Sequence, residues 1–202
     1  MMARYDLVIK NGVVVTPVEQ YAADVGVNGE TIAAVGHGLR GDQEIDASGL
    51  LVMPGGVDSH CHVEQLRADG TTDEESFISA STSAFAGGTT TAITFSTQFK
   101  GYPIGPALSG YQQRAARSMM DYSFHQIITD PTDTVINQEI PALIAAGIRS
   151  LKVFLTYDPL HVDDRGLLRI LAAARRHGAL VTLHCENYAA IGWMTEALLA
   201  AG

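Results

Sequence analysis

Cysteine is scarce: only two occur, Cys61 and Cys185, each directly after a histidine, which excludes a disulfide framework and points to a reducing compartment. Basic residues are also in deficit. Thirteen Lys and Arg against 22 Asp and Glu leave a formal net charge of −9, with no Lys/Arg cluster, so neither nucleic acid nor an anionic membrane is an expected partner. No apolar run approaches membrane-spanning length. The N-terminal stretch MMARYDLVIKNG breaks its short apolar run at Lys10, Asn11 and Gly12, so it carries no signal-peptide core and the cytoplasm is the expected location. Nothing reads as low-complexity. What is present is 47% apolar content over 202 residues, enough to bury a substantial core.

The first fifty residues alternate short β-like runs with turns, through YDLVIKNG, GVVVTPVEQ, YAADVGVNG and ETIAAVGHG. Asn11-Gly12 and Asn28-Gly29 are hairpin-turn signals, since both residue types tolerate positive φ. An antiparallel sheet is predicted, the N-terminal part of a small β-sandwich domain over residues 1–52. After Pro54-Gly55-Gly56 the pattern becomes a helix ending in glycine followed at once by an apolar strand. DEESFISASTSAFAGG leads into TTTAITFS, VINQEIPALIAAG into IRSLKVFLTY, and DDRGLLRILAAARRHG into ALVTLHCEN. With VDSHCHV and YSFHQIITD these make five strands alternating with helices, the pattern of parallel βαβ units. No glycine-rich phosphate fingerprint follows the first strand, which weakens a dinucleotide-binding reading. The polar residues fall instead at C-terminal strand ends, where barrel enzymes assemble their sites. A TIM-like (β/α) barrel is expected over residues 53–202, with its first five strands present. The last segment, NYAAIGWMTEALLAAG, has the helix-then-glycine ending that elsewhere precedes a strand, so a sixth strand is expected beyond it and the chain is expected to be a fragment.

His60 and His62 are two apart in VDSHCHV, and on a strand that spacing turns both imidazoles to one side, where a metal can use both. Cys61 then faces the other way, as a small packing residue. Alone, the pair is equally a couple of hydrogen-bonded surface histidines. Lys152 sits among Leu151, Val153, Phe154 and Leu155, where an ammonium is costly to bury. Desolvation lowers a lysine pKa and frees the amine, in some enzymes for reaction with carbon dioxide to a carbamate whose two oxygens can bridge two ions. On its own, Lys152 reads rather as an edge lysine reaching solvent or paired with a carboxylate. His184 ends the strand ALVTLHCEN, where a lone histidine is more often structural. The case rests on conjunction, since His60, His62, Lys152 and His184 all fall at or near strand ends of one candidate barrel. His37, His125 and His161 are expected to be structural, and His177 to serve the C-terminus of its helix. Asp130 is equally a pocket residue or a turn start. Trp193 and Met194 read as ordinary helix packing, and residues 99–102 as a candidate substrate-facing loop.

PGGVDSHCHV, AGGTTTAITF, SLKVFLTY and LHCEN resemble, in order and spacing, the cyclic amidohydrolases, most closely the dihydropyrimidinase/D-hydantoinase branch. The resemblance implies that His60 and His62 bind the more buried of two divalent ions, that Lys152 is the carbamylated lysine bridging both, and that His184 binds the second. It implies zinc, with manganese or cobalt as alternatives consistent with imidazole and oxygen ligands. Tyr157 matches the tyrosine that hydrogen-bonds the substrate carbonyl and the developing oxyanion. The activity implied is ring opening of a dihydropyrimidine or hydantoin by a metal-bridging hydroxide, in a homo-oligomer, commonly a tetramer. A further histidine and the aspartate that shuttles the proton have no counterpart in these 202 residues, so this chain alone is expected to be inactive. Glu64 stands where dihydroorotase-like relatives place an arginine for a substrate carboxylate, which disfavours a carboxylate-bearing ring. The alternatives are a non-catalytic assembly protein of the same fold and a related enzyme such as an allantoinase.

Overall fold

The computed structural model describes residues 4–67, 70–72 and 74–202. They form two compact units, the first ending at Gly55 and the second running Gly56–Gly202.

The first unit is a five-stranded sheet of β1 (Arg4–Val15), β2 (Gln20–Asn28), β3 (Thr31–Gly36), β4 (Arg40–Asp46) and β5 (Leu51–Val52), ordered β3-β2-β1-β4 with β5 also on β1. Asn28-Gly29 makes the β2–β3 turn as expected, with Gly29 at φ 57°. Two sequence expectations fail here. The sheet is mixed, because β4 and β5 run parallel to β1. Asn11-Gly12 is not a turn either: β1 continues through it as a bulge, with Asn11 at φ 61°. The cause is a buried carboxylate. Asp24 accepts the Asn11 backbone N–H at 3.0 Å, while the Asn11 side chain donates to Asp46 at 2.9 Å, so the residue is satisfied inside the strand. A Cβ at position 12 would lie 2.5 Å from Val52 Cγ2, which is why glycine follows. Val14, Ala23 and Val25 form the small core, packed by Ile9, Val27 and Val52.

The second unit holds β6 (Gly56–Asp58), β7 (Thr89–Thr97), β8 (Asp121–Ile127), β9 (Ser150–Phe154) and β10 (Leu180–His184), all parallel and in sequential order across the sheet. Between and after them run α1 (Phe77–Ala86), α2 (Ile104–Ala115), a π-helical turn (Val135–Glu139) continued by α3 (Ile140–Ala145), α4 (Asp164–His177) and α5 (Tyr188–Ala201). The helix signals act as their chemistry requires. Ser76 and Ser79 close a capping box on α1. Asp163 caps α4, whose last turn carries Arg175, Arg176 and His177 before Gly178 in the left-handed conformation. Helix α2 was not read from sequence. Its opening IGPALSG holds two glycines and a proline, poor helix formers, and its stability comes from buried Ile104, Leu108, Tyr111 and Ala115.

Strand alternation divides the sheet into two faces. Phe124, Leu151 and Val153 join Phe77, Ile140 and Ile170 in the large core. The opposite set, Phe95, Ile127 and Phe154, forms a separate cluster with Leu160. Helix α5 buries no residue, so the expectation that Trp193 and Met194 pack in a core is wrong: they are 67% and 50% exposed.

Candidate functional site

The cluster around Phe95 is where the sequence-predicted residues meet. β6 ends at Asp58, so His60 and His62 stand in the loop after the strand and not on it. Period-two geometry is therefore not what pairs them. Both rings instead pack on Phe95, each with its centroid 4.6 Å away, and lie 5.7 Å from each other. Cys61 between them turns into the large core, as expected, and burial with the nearby Asp58 pushes its thiol up to about 11.

Asp58 accepts the His60 N–H at 3.0 Å, and the His125 ring holds the carbonyl of Ser59 at 2.8 Å. A carbonyl only accepts, so His125 Nε2 carries the hydrogen and Nδ1 accepts from the Ser150 hydroxyl at 2.6 Å. The structural role expected for His125 thus has content, because it ties the histidine loop to the first residue of β9. Its ring stacks on Phe95 at 4.9 Å.

Lys152, at the centre of β9, is only 5% exposed, and no hydrogen bond or ion pair is found for its Nζ among the described residues. Its Nζ lies 5.6 Å from the Phe95 ring and 5.0 Å from that of Phe154. The edge-lysine and carboxylate-pair readings both fail. Burial lowers the Lys152 pKa. Desolvation likewise lowers that of His60, and the neighbouring Lys152 charge adds to it.

His184 belongs to a second subcluster. Its ring stacks on Phe154 at 5.6 Å, and its Nε2 contacts Glu186 and, at 3.4 Å, the Tyr157 hydroxyl. β10 and β6 are the two edges of the sheet, with three strands between. Lys152 is the link, through Phe95 to His60 and His62 and through Phe154 to His184. No group of three or more His, Cys, Asp or Glu able to share an ion occurs among the described residues.

Tyr157 follows β9 at φ 65°, a strained conformation for a residue with a Cβ. The backbone holds it there by accepting the N–H groups of Leu160 and His161 on its carbonyl, both at 2.8 Å. It is half exposed and, with His62, Gln65, Thr97, Phe99 and Leu160, lines an open cleft of about 340 Å³. Phe99, in the loop 99–102, is one of the residues that line this cleft. Lys100 closes that loop onto the Asp158 carbonyl at 3.1 Å, and Asp130 is structural, accepting the Gly101 N–H at 3.0 Å. Glu64 faces away from the cleft, binding the Phe77 N–H at the start of α1 and the Arg117 guanidinium. Phe95 and Gln65 escaped the sequence reading. Period-two parity along TTTAITFST was the available signal, since it puts Phe95 and Thr97 on one face.

The sequence profile of the Amidohydrolase family matches residues 51–200. The chain is 40% identical over 199 residues to a D-hydantoinase of Geobacillus stearothermophilus, covering 96% of this chain and 42% of that protein. It is 37% identical over 186 residues to a dihydropyrimidinase of Arabidopsis thaliana, covering 90% of this chain and 34% of that one. A solved D-hydantoinase structure superposes with a TM-score of 0.92 at 38% identity, over 98% of this chain and 43% of its own. The chain thus spans less than half the length of the relatives it matches, and both the barrel and the branch read from sequence are borne out.

Proposed function

The chain belongs to the amidohydrolase family, and from that premise we propose that the whole protein opens the ring of a cyclic amide, a dihydropyrimidine or a hydantoin, by hydrolysis. The observation that carries this reading is Lys152, buried between His60/His62 and His184 with no carboxylate paired to it among the described residues. A structural lysine so placed is a net cost. A lysine awaiting conversion to a carbamate is not.

The donor set fits divalent metal. His60 and His62 offer adjacent imidazoles, Lys152 as its carbamate two oxygens, and His184 a third imidazole, a nitrogen and oxygen set suited to zinc, with manganese or cobalt as alternatives. Bound there, the ions would lower the pKa of a water to near neutrality and polarise the substrate carbonyl. Tyr157 donates its hydroxyl to the carbonyl oxygen and keeps that bond as negative charge develops, its strained backbone holding the phenol at the cleft. Phe99 and Leu160 supply apolar wall for a flat ring. Glu64 pairs with Arg117 away from the cleft, so the position where dihydroorotase-like relatives hold a substrate carboxylate offers no cation, and the arginine that does line the cleft is Arg67. A cytoplasmic homo-oligomer completes the proposal.

Metal analysis of the intact protein, run beside turnover of dihydrouracil and hydantoin, tests this. About two equivalents of divalent metal with ring opening are expected under the two-ion assignment. Metal at background with no turnover of either ring overturns the reading.

A further inference from the structure

Resting on the metal reading of His62, the structure assigns to Gln65 the role of a positioning residue that holds His62 in one tautomer, hydrogen on Nδ1 and lone pair on Nε2. Imidazole is ambidentate, and the nitrogen that binds a metal is fixed by what the other nitrogen donates to. Gln65 Nε2 donates to Thr97 Oγ1 at 2.9 Å, and Thr97 lies at the buried end of β7. The amide carbonyl oxygen faces His62 Nδ1 in the structure, an orientation the Thr97 hydroxyl accommodates by accepting from Nε2. An amide oxygen only accepts, so Nδ1 must bear the hydrogen. No other hydrogen-bond partner for the His62 ring nitrogens is found among the described residues, which leaves Nε2 with a free lone pair on a ring that lines the cleft. His60 has no such support. Its ring nitrogens have no hydrogen-bond partner among the described residues.

The loop is built to present Gln65 in this way. The Val63 carbonyl accepts the buried Tyr111 hydroxyl at 2.6 Å. Glu64, at φ 47°, sends its carboxylate to the Phe77 N–H at 3.0 Å and to Arg117. The two residues that follow the histidine are thus anchored, and Gln65 comes next, between that anchor and the cleft. In this reading it acts through His62 and not on substrate.

The test uses the intact, metal-free protein labelled with 15N-histidine, with the His62 signals identified by comparison with His62→Asn. Long-range proton–nitrogen correlation is expected to show His62 protonated on Nδ1 and bare on Nε2. Gln65→Leu is expected to lose that pattern and to weaken zinc binding, titrated with the metal alone, by about 10- to 100-fold. Gln65→Glu, whose carboxylate still accepts from Nδ1, is expected to keep the tautomer and to stay within a few-fold of wild type. A wild-type His62 protonated on Nε2, or an unchanged zinc affinity in Gln65→Leu, overturns the assignment. Wild-type protein that binds no zinc strikes instead at the hydrolase reading, and the tautomer in Gln65→Leu still decides for or against Gln65.

Discussion

At the scale of single residues, the site is marked by groups that cost stability where they stand. Lys152 is a buried ammonium with two phenyl rings for company. Replacing it with Met, of similar length and no charge, is expected to stabilise the metal-free protein by about 1 kcal/mol or more, since an uncompensated charge is removed. Metal uptake should be lost in the same variant. Urea unfolding paired with metal analysis checks both, and a destabilised Lys152→Met would mean that the ammonium is satisfied in place. Tyr157 holds a left-handed backbone that favours glycine. Tyr157→Phe keeps the ring and the strain but removes the hydroxyl, so kcat for ring opening is expected to fall about 100-fold or more with little change in KM. A raised KM with kcat unchanged would assign the hydroxyl to ground-state binding instead.

At the scale of elements, the sequence was legible where a local signal and the tertiary context agree. The parallel strands β7 to β10 and helix α4 are of this kind, with apolar runs, an Asp N-cap and a glycine C-cap all pointing one way. Asn28-Gly29 makes its turn with Asp6 accepting the Gly29 N–H at 2.7 Å, a contact that supports the turn. Asn11-Gly12 carries the same signal and fails, because Asp24, thirteen residues on, offers a buried carboxylate to the Asn11 N–H. The His60/His62 pair was found for the wrong geometric reason: the strand stops at Asp58, and a phenyl ring from the neighbouring strand does the pairing. Such contacts between strands leave no trace in local spacing. Two tests belong here. Gly12→Ala places a methyl on Val52 Cγ2 and is expected to cost about 1–3 kcal/mol in the first unit, read by urea unfolding. The Asp24 carboxyl is held below the usual carboxylate range, foremost by the Asn11 N–H, with Leu39 and Gly38 adding to it against the cost of burial. A lowered folded-state pKa means that ionised Asp24 contributes stability above the unfolded value and loses it as pH falls through the folded one. Asp24→Asn is therefore expected to be clearly less stable than wild type at pH 7, with the gap narrowing once pH drops below about 4. A gap that does not change with pH would exclude the carboxylate as its source.

At the scale of the molecule, five parallel βα units present two apolar clusters on opposite faces of one sheet. The larger, under the helices, holds the fold, and the smaller, around Phe95 and Phe154, gathers the candidate site residues. Removing metal from the intact protein with a chelator is expected to abolish ring opening while leaving the helical circular dichroism of these units in place. Zinc or manganese should restore turnover. Collapse of the helical signal on chelation would instead make the metal a structural element. The two phenyl rings have one more consequence. A ring face attracts a cation and repels an anion, so the contacts at 5.6 Å and 5.0 Å favour Lys152 as an ammonium and disfavour its carbamate. For the proposed carbamate this sets an order: without a divalent ion the ammonium is the favoured form, so carbamate and metal would be gained together and lost together.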